Sequence, residues 1–189
     1  MSYCQFVAGL TEGEQPEHRH YHDHLYGFPI ADDNELFGRL LLEINQAGLS
    51  WTTILKKEAN FRKAYHQFDI RKIAAYGEAD RLRLLNDAGI IRNRLKVDAA
   101  IHNAGVVMEL QQQFGSFRQW IEHHHPLTKA EWVRLFKKQF RFTGGEIVNE
   151  FLMSTGYLPG AHDTGCPVHL RILQSKPAWA NAIKNKGNQ

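Results

Sequence analysis

Apolar residues recur at intervals of three and four positions along most of this chain, which is the spacing of one face of an α-helix. The clearest example is the stretch of residues 36–51. Its apolar face is formed by Leu36, Leu40, Ile44 and Ala47. At about 100° per residue, Glu43 falls inside this face, where a carboxylate is costly to bury without a partner. Glu43 is therefore interpreted either as the partner of a buried arginine or as a group that serves a ligand.

The ends of this helix are also marked in the sequence. Asp32 and Glu35 have the spacing of a capping box at its start, and Gly48 predicts its end. Leu49 and Trp51 are then expected in the loop just beyond the helix. A carboxylate, an aromatic plane and an apolar wedge would lie within a short reach of one another, although Trp51 is also compatible with an ordinary place in the core.

The same spacing predicts helices along most of the remaining chain. Their ranges are 52–68, 69–75, 78–86, a long helix that ends near residue 110, 116–123, 128–138, 144–155 and a short one at 168–173. Residues 1–29 are expected to be irregular, and residues 184–189 to form a frayed basic tail. No strand-like alternation or internal repeat is found. We therefore predict an all-α fold of one domain over residues 1–189, with two helical lobes that meet near Glu43.

Composition narrows the possible environments and partners. The net charge of +3 suits a polyanionic partner without requiring one. No apolar run approaches the roughly 18 residues of a membrane helix, and the N-terminus lacks the pattern of a signal peptide. The two cysteines, Cys4 and Cys166, are then expected to be reduced thiols in a cytoplasmic protein.

A helix-hairpin-helix pattern covers residues 85–96. Gly89 permits a tight turn whose backbone N–H groups face outward, and the positive end of the next helix follows, so the turn is suited to hold a phosphate. Arg92, Arg94 and Lys96 add positive charge beside it. Because phosphates carry no base identity, this would be a DNA grip without sequence specificity. The alternative is a glycine-terminated helix followed by solvated basic residues.

Cysteines and histidines form a candidate metal site. His162 and Cys166 lie four residues apart, and Cys4 with one early histidine would complete a Cys₂His₂ set. The spacing does not choose among His18, His20, His22 and His24, and buried thiols with solvated histidines are the alternative. Four protein ligands leave no open position, so such a site would be structural and would tie the two ends of the chain together.

Several blocks together resemble the DNA-3-methyladenine glycosylase I family of helix-hairpin-helix enzymes, over nearly the whole chain and in the family's order. The most specific are Gln46 to Trp51 within LEINQAGLSW and the block DAGIIRNR that ends at Arg94. The others are Cys4, YHDHLYGFP from Tyr21, ILKK from Ile54, and the pair His162 and Cys166.

The resemblance implies roles for individual residues. The ligands of a structural zinc ion would be Cys4, His22, His162 and Cys166. The base pocket would lie between the two lobes, with Glu43 as the carboxylate that contacts the base, Tyr21 and Trp51 as aromatic walls, and Tyr26 where the family usually has tryptophan. DNA would be bound by Leu49, near the abasic gap, and by the hairpin residues Gly89, Ile90, Arg92, Arg94 and Lys96.

The implied activity is hydrolysis of the N-glycosidic bond of 3-methyladenine in alkylated double-stranded DNA, with an abasic site and free 3-methyladenine as products. No lysine is placed as an obvious nucleophile, so the reaction is expected to be monofunctional, by a monomer. The chain departs from the family's pattern at Leu25, at Tyr26 and at Leu95 beside the hairpin, and in residues 143–146 and 159–162. These departures favour, as the alternative, a homologue that binds lesions or DNA without excision.

Overall fold

The computed structural model describes residues 1–181, in which the regular secondary structure is helical and no strand occurs, so the all-α prediction is confirmed. The predicted tail at residues 184–189 lies outside the described residues. The helices are α1 (Tyr3–Ala8), α2 (Pro16–His24), α3 (Asp33–Gln46), α4 (Trp51–Ala64), α5 (Ile70–Ala74), α6 (Glu78–Asn86), α7 (Arg94–Phe114), α8 (Phe117–His124), α9 (Lys129–Gln139), α10 (Gly145–Ser154) and α11 (Pro167–Gln174), with a 3₁₀ turn at His66–Phe68. Among residues 1–181, no helix has both the length and the apolar character needed to cross a membrane.

The chain divides into two compact units. Among the described residues, the first unit contains residues 1–30 and 149–181 and the second contains Ala31–Val148, so the division falls within α10. In the first unit α1 packs on α2. In the second unit α7, which is 21 residues long, packs against α3, α5, α6 and α8.

The prediction that residues 1–29 are irregular is wrong, because α1 and α2 lie there. Ser2 and Gln5 form a capping box at the start of α1, a spacing that is visible in the sequence. The buried face of α2 consists of His18, Tyr21 and His22, which are too polar to give an apolar repeat.

Helix α3 begins as predicted, with the Asp32 side chain accepting a hydrogen bond from the Glu35 N–H at 2.9 Å. Glu35 does not complete a capping box in turn. Its carboxylate instead accepts two hydrogen bonds from the Arg62 guanidinium, at 2.6 and 2.7 Å. The helix is buried on all sides from Leu36 to Asn45, and not along one face only.

The helix predicted for residues 52–68 ends early, at Ala64. Beyond it, His66, Gln67 and Phe68 all have left-handed backbone angles, with φ between 50° and 58°. This turn places the buried Phe68 ring against Gly38 of α3, and the Arg62 guanidinium carbon lies 5.0 Å from the centre of the same ring. The left-handed turn at His66–Phe68 is therefore associated with the packing of Phe68 on Gly38 of α3. Helical spacing in the sequence could not predict this contact.

Gly38→Ala should destabilise the protein, because the added Cβ would lie 2.3 Å from Cδ2 of Phe68 in a filled core. Overpacking of this kind costs about 1–3 kcal/mol. The matched control is Gly105→Ala in α7, where a Cβ meets no atom within 4 Å; it should stabilise the helix by about 0.5–1 kcal/mol. Urea denaturation of both variants measures these changes, and equal effects of the two would contradict the packing argument.

Candidate functional site

The first unit brings Cys4, His22, His162 and Cys166 together. Their potential ligand atoms all lie within 4.8 Å of one another, which is close enough to bind one metal ion. Cys4, His22 and His162 are buried, and Cys166 is half-buried. Spacing in the sequence left four early histidines as candidates, and the structure selects His22, which alone of the four joins this cluster.

The distances within the cluster suit four ligands around one ion. Nδ1 of His162 lies 3.4 Å from Sγ of Cys4 and 3.7 Å from Sγ of Cys166, and Nε2 of His22 lies 3.8 Å from Sγ of Cys166. A tetrahedron with metal–nitrogen and metal–sulfur bonds of about 2.0–2.3 Å has edges of about 3.3–3.8 Å. The donor set and its spacing therefore fit a closed four-coordinate centre.

Both imidazoles are oriented by a second partner. Nε2 of His162 lies 2.9 Å from the Tyr26 carbonyl oxygen, and Nδ1 of His22 lies 2.7 Å from Oδ1 of Asp23. Each ring thus donates one N–H outward and presents its other nitrogen to the thiols, an arrangement typical of metal-binding histidines. Asp23 directly follows a predicted ligand, and this adjacency is a signal that sequence reasoning could have used.

Burial sets the ionisation of the cluster when no cation is bound. It raises the pKa of the Cys4 thiol to about 11; the neighbouring Cys166 adds to this shift, and the Asp163 N–H on the sulfur opposes it. Burial also lowers the pKa of His162 below its ordinary value. A neutral Cys4 thiol and a neutral His162 imidazole are thus favoured, and a metal ion would have to displace the Cys4 proton on binding.

Two tyrosines lie beside the cluster in the first unit. Tyr21 and Tyr26 are buried with ring centres 5.4 Å apart, and the Tyr26 hydroxyl donates to Glu150 at 3.2 Å. The next residue, Gly27, has a φ of +86°, and a Cβ there would lie 2.8 Å from the Ile172 side chain. This glycine is required for the turn that delivers the Tyr26 carbonyl to its histidine.

Glu43 and Trp51 belong to the second unit. The Glu43 side chain is 3% exposed, as expected for a carboxylate on the interior of α3. Trp51 is half-buried and is the first residue of α4, which corrects its predicted place in a loop. A base pocket that these residues share with Tyr21 and Tyr26 stays a prediction.

The turn between α3 and α4 presents Leu49 to solvent, with 40% of the residue exposed. Gly48 has a φ of +80°, and the Leu49 N–H donates to the Gln46 carbonyl at 2.7 Å. The Ser50 side chain then caps α4. Leu49 is therefore exposed on a turn that is held by hydrogen bonds both before and after it.

The structure corrects the prediction that Lys96 faces a phosphate beside the hairpin. Lys96 is 4% exposed, and its ammonium donates to the carbonyl oxygens of Asn45 at 2.8 Å and Ala47 at 2.7 Å. These carbonyls terminate α3 and carry the negative end of its dipole, which attracts a cation. Burial lowers the pKa of Lys96. Sequence reasoning missed this role, because a lysine near a helix N-terminus is normally solvated.

The hairpin also differs in detail from the prediction. Helix α6 ends at Asn86, and Gly89 does not have a positive φ. Its N–H donates to the Asp87 carboxylate at 2.7 Å, and the Ile90 N–H to the Asp87 carbonyl at 3.4 Å, so these groups have internal partners in this structure. A Cβ at position 89 would lie 2.9 Å from the same carboxylate and 3.2 Å from Asn60, so a larger residue there would require these side chains to shift.

The two arginines of the hairpin are both exposed to solvent but differ in their ion pairs. Arg92 is exposed and forms no ion pair within residues 1–181. Arg94 is also exposed, and its guanidinium lies 3.5 Å from the Glu78 carboxylate and 3.9 Å from that of Asp98. Exposed pairs at such distances are weak, so both arginines remain accessible to an anion.

Comparison with known proteins places these features in a family. Residues 11–133 match the family model described as methyladenine glycosylase. The chain is 37% identical to DNA-3-methyladenine glycosylase 1 of Escherichia coli over 88% of this chain and 96% of the relative, and 34% identical to DNA-3-methyladenine glycosylase of Haemophilus influenzae over 82% and 94%. A solved structure concerned with 3-methyladenine recognition by the Staphylococcus aureus enzyme superposes with a TM-score of 0.73 at 30% identity, covering 81% of this chain and 91% of that one. The chain therefore belongs to the methyladenine glycosylase family.

Proposed function

We propose that this protein is a base-excision repair glycosylase that hydrolyses the N-glycosidic bond of 3-methyladenine in alkylated double-stranded DNA. The observation that carries the proposal is the buried carboxylate of Glu43 in a chain that matches the family over most of its length. A carboxylate held inside a helical core has a clear use if it meets a polar, positively charged base.

The chemistry of the lesion explains why this residue set suits it. A base can be reached only after it leaves the duplex stack, and an extruded base is bound by aromatic surfaces and a polar discriminator. Tyr21 and Trp51 supply the aromatic surfaces in the proposal, with Tyr26 beside them. Glu43 would accept a hydrogen bond from the exocyclic amine of adenine, which the carbonyl of guanine cannot donate.

The proposed reaction is a direct hydrolysis. A purine methylated at N3 carries a positive charge while bound to deoxyribose, so the base departs as a neutral molecule when the bond from C1′ to nitrogen breaks. Water supplies the hydroxyl at C1′ and releases one proton. Glu43 would favour the cationic substrate electrostatically, and no covalent enzyme intermediate is needed. The DNA product is an abasic site.

The cluster of Cys4, His22, His162 and Cys166 is proposed to hold one zinc ion. Two thiolates and two imidazoles in a closed tetrahedron are the usual ligand set of structural zinc. The ion would supply folding free energy and tie the N-terminal helix to the segment before α11, and it would take no part in the reaction.

DNA binding is proposed for the helix-hairpin-helix segment, where Gly89, Ile90, Arg92 and Arg94 would contact the backbone, and for Leu49, which would fill the space left by the extruded base. Gly89 and Ile90 would then contribute their backbone N–H groups, since the Ile90 side chain is buried, and a phosphate would have to replace the Asp87 oxygens that accept from them in this structure. Lys96 is not part of this proposed set. We further infer a cytoplasmic location, because reduced thiols suit the proposed zinc site, and a monomer stays a prediction.

The test is release of free bases from methylated duplex DNA, separated by chromatography. The expected product is 3-methyladenine, together with DNA that becomes sensitive to cleavage at abasic sites. Binding of abasic DNA without any base release would overturn the proposal in favour of a lesion-binding homologue. Strand cleavage by the protein itself would contradict the monofunctional reaction.

A further inference from the structure

Phe142 combines an unusual backbone with an exposed aromatic ring. Its φ is +61°, in the left-handed region that bulky side chains rarely adopt, and 37% of the residue is exposed. Such a conformation persists only where the surroundings impose it, and it is found preferentially at functional sites. Holding this ring partly in solvent therefore costs the segment between α9 and α10 conformational free energy.

The residues on both sides of Phe142 are fixed. The fully buried Asn103 of α7 accepts a hydrogen bond from the Arg141 N–H at 2.8 Å and donates to the Arg141 carbonyl at 3.1 Å. The Thr143 hydroxyl donates to the Phe140 carbonyl at 3.2 Å, and both of these residues are buried. The anchored segment thus holds the partly exposed Phe142 ring in a defined position.

Lys96 connects this segment to the turn that carries Leu49. Its ammonium lies 5.9 Å from the centre of the Phe142 ring while it donates to the carbonyls of Asn45 and Ala47, two residues before Leu49. The buried ammonium of Lys96 thus lies near the exposed Phe142 ring and also holds the end of α3, just before the exposed Leu49. Leu49 and Phe142 both belong to the second unit.

The charges around Phe142 suit a polyanion. Lys137, Lys138 and Arg141 precede it closely in the chain, and all three are exposed. Within residues 1–181 none of them forms an ion pair with a carboxylate. Exposed aromatic rings and basic side chains together are what proteins use to bind unstacked nucleic-acid bases, and this segment carries both.

We propose that Phe142 is a second DNA-contacting side chain, which stacks on a base next to the extruded nucleotide while Leu49 occupies the gap. This inference rests on the proposed function, since it requires a duplex distorted by base extrusion. Apolar side chains inserted between base steps stabilise such distorted duplexes in other DNA-binding proteins. The strained backbone fixes the ring in advance, so it need not be ordered on binding.

The test uses a duplex that contains a tetrahydrofuran abasic-site analogue, with 2-aminopurine as the neighbouring base. Phe142→Ala and Phe142→Leu should each weaken binding about tenfold, within the range for loss of one base–aromatic contact. Phe142→Trp, which keeps an aromatic plane, should bind within about twofold of the wild type. Because stacking quenches 2-aminopurine, the complex with Phe142→Ala should be more fluorescent than the wild-type complex.

The controls separate DNA contact from a purely structural role. Leu82→Ala removes a comparably exposed apolar side chain from α6 and should leave DNA affinity unchanged. All Phe142 variants should bind free 3-methyladenine as the wild type does, at a temperature where thermal unfolding shows them folded. Wild-type affinity and fluorescence in both Phe142→Ala and Phe142→Leu would overturn the inference. Failure of the wild type to release 3-methyladenine would instead overturn the proposed function, and the binding comparison would still report on Phe142.

Discussion

Glu43→Gln is expected to lower the rate of 3-methyladenine release from methylated duplex DNA by about 10- to 100-fold under single-turnover conditions. Glutamine keeps the size and shape of the side chain and retains one acceptor oxygen. It removes the negative charge that would face the cationic base, and hydrogen bonds to charged groups contribute about 1.5–3 kcal/mol. Because Glu43 is 3% exposed, solvent would do little to screen this lost interaction.

The matched control for this variant is Glu109→Gln on α7, where the same charge is removed from an exposed position. It should release base at the wild-type rate. Thermal unfolding of both variants shows whether a loss of activity reflects a loss of folded protein. Full activity of a folded Glu43→Gln variant would contradict the proposed role of this carboxylate. The identity of the released base would still test the proposed reaction.

Loss of the proposed zinc ion should unfold at least the first unit. Structural zinc contributes about 10–16 kcal/mol in small zinc domains, which is comparable to the whole free energy of unfolding of a typical protein. Cys166→Ser should therefore reduce zinc content well below one ion per chain, lower Tm by more than about 10 °C and reduce helical circular dichroism. Elemental analysis by mass spectrometry measures the zinc in purified protein.

The histidines of α2 provide the matched control. His20 and His24 are exposed, with ring centres 5.2 Å apart, and lie on either side of His22 in the sequence. His24→Ala should retain zinc and Tm, whereas His22→Ala should lose both. A chelator should abolish activity only as fast as the helical signal decays. Immediate inhibition with the fold intact would point to a catalytic ion and contradict the closed structural site.

Local spacing was sufficient to predict most of the helices. The range predicted for α6 coincides with the observed one, and Asp69 caps α5 as expected, because capping and apolar periodicity act within a few residues. Helix α2 escaped this reasoning since its interior face is built from His18, Tyr21 and His22. Such residues become interior only when distant groups, here Cys4 and His162, meet them.

Lys96 shows why burial of a charged side chain is hard to predict. Its neighbours in sequence suggest a solvated basic segment beside a phosphate site. Its partners are carbonyls at the end of α3, and one of them belongs to Asn45, which is 51 residues earlier in the chain. Only packing of α7 against α3 makes those unsatisfied acceptors available.

By itself the sequence determined the helical class, the interior position of Glu43, the pool of metal-binding residues and the family resemblance, because these depend on residue type and short-range spacing. The tertiary structure decided which early histidine joins the two cysteines, which lysine is buried, and that the backbone turns left-handed at Phe68 and Phe142. Those outcomes depend on partners far apart in the chain, whose hydrogen bonds and packing exist only once the helices are assembled.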